Sequence, residues 1–207
     1  MIVAAAADLG KSNILSRLAD DLLGLVRRSV QDGATLDELE RGVFQQVLTI
    51  GHAAVDLFLQ GQGDGDLGDS LTTAADTILS RSETVRRRPL RTIFGEHVFE
   101  AFVYARGPKE KIELRPIDAR LNLPHGKASY LLQEFSQLFC IEKAFAVGAR
   151  QFATVFQQQL SVDVLEDINR DLGAQADRFL DELTAPSAAH EGELLVVSAD
   201  GMTTGTL

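Results

Sequence analysis

The spacing of apolar residues changes twice along the chain, and this change limits the fold more than any other feature. Residues 12–30 and 35–59 place apolar side chains at helical intervals, whereas residues 90–115 alternate apolar and polar side chains as strands do. Helical spacing returns after residue 127. The pattern predicts a mainly α fold with a small antiparallel β-ribbon, and helices over residues 12–30, 35–59, 127–142, 145–158 and 162–183.

Local signals mark the boundaries between these elements. Thr35 and Glu38 have the spacing of a capping box, which predicts that the second helix begins there. Pro116 ends the last ribbon strand, as is typical of an edge strand. We therefore predict a helical hairpin (1–60), a Gly/Arg-rich linker (61–89), a β-ribbon region (90–126), a helical, helix-turn-helix-like region (127–185), and a linker followed by one strand (186–207).

The charge is distributed unevenly. The 207 residues carry a net charge of −10, which by itself argues against a nucleic-acid partner. Residues 81–150, however, hold 13 Lys and Arg against 8 Asp and Glu, while the segments on either side are strongly acidic. A binding surface responds to local charge over a Debye length of about 8–10 Å, so the overall charge does not exclude DNA.

Composition also sets the expected compartment. Cys140 is the only cysteine, which fits a reducing cytoplasm and excludes a Cys-rich zinc site. The sequence shows no run of about 18–20 apolar residues and no basic, signal-like N-terminus. We therefore expect a cytoplasmic protein with no membrane partner.

The basic middle segment contains the residues best suited to contact phosphates. Four arginines lie close together before the ribbon, and three more cations surround its turn, giving the candidate DNA-binding residues Arg86, Arg87, Arg88, Arg91, Arg106, Lys109 and Lys111. The alternative is a solvated linker whose arginines pair with the acidic flanks. The residues alone leave both interpretations open.

A second candidate DNA-binding element lies further along the chain. Residues 145–158 and 162–183 have the spacing of a helix-turn-helix. In the second helix Asn169 and Arg170 are suited to contact bases or phosphates, but its first turns are acidic. Most helix pairs of this kind only pack in a core, so this interpretation also stays open.

The remaining sequence patterns give weaker evidence for a cofactor or metal site. The Gly-rich segment 63–68 matches a dinucleotide-binding pattern, but a helix precedes it and two Asp residues interrupt it, so a linker is the better interpretation. The four histidines share no ligand spacing. Residues 193–199 predict a buried strand that ends at Asp200, where two-metal enzymes place a magnesium ligand, but one carboxylate cannot hold two ions.

Several blocks in one order then resemble a known family. Six blocks of the chain are similar to bacterial insertion-sequence transposases of the Kra type. They are Thr92-Ile93-Phe94-Gly95-Glu96, Phe102-Val103-Tyr104, and the runs from Glu113 to Pro124, from Lys127 to Gln133, from Ser161 to Arg170 and from Glu193 to Gly201. The resemblance covers residues 60–201. It implies a DDE transposase with an N-terminal part that binds transposon ends and an RNase H-like core that uses Mg²⁺.

The resemblance also assigns a role to the last strand. It places Asp200 at the first catalytic carboxylate, and the strand before it as the first, here orphan, strand of the RNase H-like core. The family then continues with Lys-Gly-Val-Pro-Met, whereas this chain reads Met202-Thr203-Thr204 and ends at Leu207. We therefore expect a truncated, non-enzymatic chain with no cofactor, in which Asp200 would bind metal only in a full-length protein.

These observations predict a DNA-binding N-terminal fragment of an insertion-sequence transposase that binds transposon ends without strand transfer. Two alternatives remain. One is a helical oligomerisation module that pairs with itself or with an intact transposase as a dominant-negative partner. The other is a non-functional remnant.

Overall fold

The computed structural model describes residues 5–184. The predicted strand at 193–199 and Asp200 therefore lie outside the described residues. Residues up to Ile168 belong to one compact unit, and those from Asn169 onward belong to a second. The fold is mainly helical with small antiparallel sheets, as the apolar spacing predicts.

Two long helices open the chain. Helix α1 spans Ala5–Asp32 and helix α2 spans Leu36–Gln60. They run antiparallel, because Gly42 packs against Leu25 while Gln46, one turn later, donates to the carbonyl oxygen of Leu18, earlier in α1. The predicted helical hairpin is thus present in the structure.

The capping box at the start of α2 is confirmed. The backbone N–H of Thr35 donates to Glu38 Oε2 at 2.8 Å, and the backbone N–H of Glu38 donates to Thr35 Oγ1 at 3.3 Å. These two bonds satisfy amide groups that the first helical turn leaves without partners. The bonds from Thr35 also lower the pKa of Glu38, because they stabilise its carboxylate form.

Helix α2 is also the one helix in the described part of the chain that is long and apolar enough to cross a membrane. Its most apolar window has a mean hydropathy of 1.2, and only 6% of that window is buried. Length and composition are weak evidence for a span, and α2 also packs on α1 and a strand of the ribbon. The absence of a membrane partner stays a prediction.

Six short strands follow α2 within residues 5–184. Strands β1 (Ser70–Thr72), β2 (Ile78–Arg81), β5 (Tyr104–Ala105) and β6 (Ile112–Leu114) form an antiparallel sheet in the order β1-β2-β5-β6. Strands β3 (Arg86–Thr92) and β4 (Gly95–Ala101) form a separate hairpin. Strand β6 lies at an edge, as the proline after it predicts.

The structure differs from the prediction of a linker at residues 61–89, which contain β1, β2 and the start of β3. Polar contacts that the sequence pattern does not reveal order this segment. Arg81 forms ion pairs with Asp66 and with Asp69, the latter at 2.7 Å. The buried Tyr104 hydroxyl accepts the N–H of Leu67 at 2.7 Å and donates to the carbonyl oxygen of Gly68 at 2.8 Å.

Four more helices complete the described chain: α3 (Pro116–Arg120), α4 (Tyr130–Cys140), α5 (Phe145–Phe156) and α6 (Val162–Glu182). The three predicted over residues 127–183 are confirmed with slightly different ends, and α3 is additional. A buried cluster joins α2, the β3–β4 hairpin and α3 through Leu59, Leu90, Phe99, Ala101 and Ile117. A second apolar contact joins α4 and α5 through Phe135, Phe139, Phe152 and Phe156.

Candidate functional site

Strand β3 separates the predicted arginine cluster into exposed and buried members. Arg86 and Arg87 are exposed, and they pair across the hairpin with Ala101 and Glu100. Arg88 is buried with only 6% of its surface exposed. Because successive side chains of a strand point to opposite faces, Arg87 and Arg88 lie on different faces of the hairpin.

Arg88 is occupied entirely by internal partners. Its Nε donates to Asp118 Oδ2 at 2.8 Å, and its Nη2 donates to the carbonyl oxygens of Pro124 at 2.7 Å and Gly126 at 3.0 Å. These bonds fasten β3 to α3 and to the loop before α4. Arg88 is therefore not presented at the surface as Arg86 and Arg87 are, since its nitrogens are buried and donate to internal partners.

Two further predicted cations also have carboxylate partners. Arg91 pairs with Glu96 across the β3–β4 hairpin, and its Nη1 lies 3.5 Å from the carbonyl oxygen of Gln159. Arg106 pairs with Glu113 across the β5–β6 hairpin, although its side chain is 66% exposed. Both arginines are thus partly neutralised by acidic groups on the same hairpin.

Lys109 and Lys111 lie in the β5–β6 connection and are exposed. Lys109 has a positive φ of 69°, as is common in a tight turn. These two lysines and the Arg86–Arg87 pair belong to different sheets. The predicted cations therefore lie on two different sheets and not in one cluster.

An open groove of about 700 Å³ runs beside β6 and α3. Its cationic and aromatic lining consists of Lys111, Arg115, His125 and Tyr130, and Tyr130 is 52% exposed. Glu113 and Asp118 also line the groove, but Arg106 and Arg88, respectively, neutralise them.

The groove is accordingly cationic. Within the described part of the chain, neither Lys111 nor Arg115 forms an ion pair with a carboxylate. Sequence reasoning selected Lys111 but missed Arg115. The alternation of charged and apolar residues in 111–115 was the available signal, because it places both cations on one face of a strand.

The helix-turn-helix candidate has an ordered turn. Gln157 ends α5 with a positive φ of 54°, and α6 begins at Val162. Gln158 Nε2 donates to the carbonyl oxygens of Thr92 at 3.1 Å and Ile93 at 2.7 Å, so the turn is held against the β3–β4 hairpin. Asn169 and Arg170 lie further along α6, in the second compact unit. Asp200 lies outside the described residues.

A group of metal-binding residue types also comes together. His52 and Asp56 lie one turn apart on α2, and His97 reaches them from β4. One ligand atom from each lies within 4.8 Å of the others. His97 is 1% exposed, whereas its neighbours Glu96 and Glu100 point to the opposite, exposed face.

Sequence reasoning did not find this group. The four histidines share no ligand spacing along the sequence. The i, i+4 spacing of His52 and Asp56 on a helix was an available signal, since such residues share a face. The third member comes from a strand 41 residues after Asp56, and no local pattern connects it to the helix.

Comparisons of the chain with protein-family models, with curated proteins and with solved structures gave no significant match.

Proposed function

We propose that this chain binds DNA as the N-terminal part of an insertion-sequence transposase, with transposon ends in the bacterial cytoplasm as its target. The observation that supports it best is the groove beside β6 and α3. This groove presents Lys111 and Arg115 while its own carboxylates are neutralised by Arg88 and Arg106. The resemblance of residues 60–201 to Kra-type transposases supports the same function.

The chemistry of the groove suits a nucleic-acid backbone. Phosphates bind cations that carry no competing carboxylate partner, because no internal ion pair must first be broken. Tyr130 supplies an exposed ring beside these cations, on which an unpaired base can stack. The exposed Lys109 lies two residues before Lys111 and adds positive charge near the groove.

We assign a second DNA contact to α6, which carries Asn169 and Arg170. These residues provide an amide and a guanidinium of the kind that contact bases and phosphates. The proposed activity is binding without catalysis, so strand transfer would depend on an intact transposase as a partner.

The first prediction tests the groove with a charge-matched pair of variants. Lys111→Ala/Arg115→Ala should weaken binding of the element's terminal inverted repeats in a gel-shift assay. It should also reduce the slope of log affinity against log salt concentration by roughly 1.8, because each lost phosphate contact contributes about 0.9. Fluorescence anisotropy at several salt concentrations measures this slope.

The control, Arg27→Ala/Arg28→Ala, removes the same charge from exposed positions on α1. It should leave the slope unchanged, since those residues lie away from the groove lining. Equal weakening by both double variants would show a general charge effect and would contradict the groove as the interface. The absence of any salt-dependent binding by the wild-type chain would refute DNA binding itself.

A second candidate function, self-association through the helical hairpin, rests on a separate observation. Leu23, Val26 and Val30 form an exposed stripe on α1, and α2 carries exposed Leu36, Phe44, Val47 and Phe58 at helical spacing. Successive residues of an α-helix are rotated by about 100° around its axis, which places each stripe relative to the residues that contact the other helix. On both helices the stripe is displaced from those contact residues in the same rotational direction. In an antiparallel pair such stripes open to the same side of the hairpin.

A second copy of the chain could bury this face as a four-helix bundle, since a two-fold interface places the same surface on both subunits. Leu23→Glu/Phe44→Glu should then convert a dimer into a monomer, because two buried charges per chain destabilise the interface. Size-exclusion chromatography with light scattering measures the mass. Ile141→Glu, at a 79% exposed site on α4's C-terminal side, should leave the dimer intact. A wild-type chain that is monomeric at every concentration would exclude this function.

A further inference from the structure

We propose that His52, Asp56 and His97 bind one Zn²⁺ ion, which joins α2 to the β3–β4 hairpin. The imidazole nitrogen and carboxylate oxygen that they offer are ligand types that zinc prefers. Three protein ligands leave one position of a tetrahedral zinc for water. The inference goes beyond DNA binding and does not depend on it.

The hydrogen bonds of His52 argue for a cation at this position. His52 Nδ1 lies 3.1 Å from the carbonyl oxygen of Phe94, which can only accept, so Nδ1 carries a hydrogen. In the neutral ring Nε2 then has a lone pair, and it faces Asp56 Oδ2 at 3.2 Å. A carboxylate oxygen also only accepts, so this contact becomes favourable when a proton or a metal ion lies between the two atoms.

The surroundings of His97 allow the same arrangement. Its Nδ1 lies 2.7 Å from Asp56 Oδ1, and its Nε2 lies 2.9 Å from Thr92 Oγ1. Thr92 can accept a hydrogen from Nε2, which leaves Nδ1 free to bind a metal. Both histidines would thus have an outer-shell oxygen that orients the ring, as metal-binding histidines usually do.

The two imidazole rings and the carboxylate converge on one small volume. The rings of His52 and His97 stack at 4.5 Å with an interplanar angle of 22°. The His97 side chain is fully buried, and the Asp56 carboxylate contacts a nitrogen of each ring. A single zinc ion would bind one nitrogen lone pair from each ring and an oxygen of this carboxylate.

Each histidine nitrogen contacts a different oxygen of the Asp56 carboxylate, His52 through Oδ2 and His97 through Oδ1. Two ligand atoms about 2.0–2.1 Å from a tetrahedral zinc lie roughly 3.3 Å apart, close to the 3.2 Å between His52 and Asp56. The 2.7 Å between His97 Nδ1 and Asp56 Oδ1 has the length of a hydrogen bond, so that pair would separate by about 0.6 Å to bind one ion between them. The partly exposed side chains of His52 and Asp56 give the ion a path from solvent.

The β3–β4 turn is shaped around the His52 ring. Gly95 has a φ of +128°, and a Cβ atom there would lie 3.0 Å from His52 Nδ1. Only glycine combines this backbone conformation with the absence of a side chain. The turn therefore holds the ring, and with it the candidate ligand nitrogen, in a defined position.

Isothermal titration with ZnCl₂ tests the site on the untagged full chain. We expect one zinc per chain, with proton release and a higher melting temperature, because the ion binds the folded state. Co²⁺ in place of zinc should give the visible absorption of a tetrahedral site with nitrogen and oxygen ligands. His52→Gln should lower zinc affinity by more than about 100-fold, since loss of an outer-shell partner alone typically costs 10–100-fold.

His52 is the position to replace because it is partly exposed, so the variant should still fold; circular dichroism without metal checks this. The matched control is His125→Gln, which changes an exposed histidine outside the group and should bind zinc like the wild type. Zinc binding that survives His52→Gln in full would place the ion elsewhere. A wild-type chain that takes up no zinc would overturn the inference.

Discussion

Replacing Arg88 with Met should reduce the free energy of unfolding by about 3–5 kcal/mol. The substitution removes the partner of Asp118, whose side chain is only 15% exposed, and leaves an uncompensated charge in a buried position. It also removes the donor for the carbonyl oxygens of Pro124 and Gly126. Urea unfolding followed by circular dichroism measures the loss.

The neighbouring residue provides the control for this prediction. Arg87→Met makes the same chemical change at an exposed position of the same strand, and should alter stability by less than about 0.5 kcal/mol. If the two variants were equally stable, Arg88 would not hold β3 to α3. A large loss confined to Arg88→Met would support its assignment as a structural residue and not a phosphate contact.

Phe152→Ala should have an effect of similar size, about 3–5 kcal/mol, in the helical half of the first unit. Phe152 is fully buried on α5, where its ring lies 4.7 Å from that of Phe156 and 6.2 Å from that of Phe139. Truncation to Ala leaves a cavity where α4 packs on α5. Thermal and urea unfolding of the purified variant measure the change.

Phe179→Ala is the matched control, because Phe179 is 62% exposed on α6 and its removal creates no cavity. We expect it to unfold within about 0.5 kcal/mol of the wild type. A Phe152→Ala variant as stable as Phe179→Ala would mean that the α4–α5 contact does not contribute to the stability of the fold.

The helices were the part of the fold that sequence reasoning predicted best. The start of α2 at Thr35 follows from two side chains and two amide groups within four residues. The ends of α4, α5 and α6 differ from their predicted positions by a few residues, because helix ends depend on contacts beyond the apolar stripe. Such elements are predictable because the interactions that form them are local.

The segment 61–89 was predicted poorly for the opposite reason. Its glycines and arginines are typical of a linker, yet Arg81 and Tyr104 order it through contacts with Asp66, Asp69 and the backbone at Leu67 and Gly68. Tyr104 lies 37 residues after Leu67. Residue type alone cannot indicate that a polar loop has partners at such a distance.

The candidate interface divides in the same way. The excess of cations in residues 81–150 and the alternation of 111–115 can be read from the sequence. Tertiary contacts decide which of those cations remain available. They bury Arg88, pair Arg91 and Arg106 with glutamates, and leave Lys111 and Arg115 beside a groove whose carboxylates are neutralised.

The sequence by itself therefore determined the helices, the ribbon and the location of the positive charge, because periodicity, caps and charge density are properties of neighbouring residues. Only the tertiary structure decided that Arg88 is structural and that His97 meets His52 and Asp56. Those outcomes depend on which side chains are buried against one another when β3 and β4 pack against α2 and α3. Residues 30 to 45 positions apart then become partners, and no short-range pattern records such a pairing.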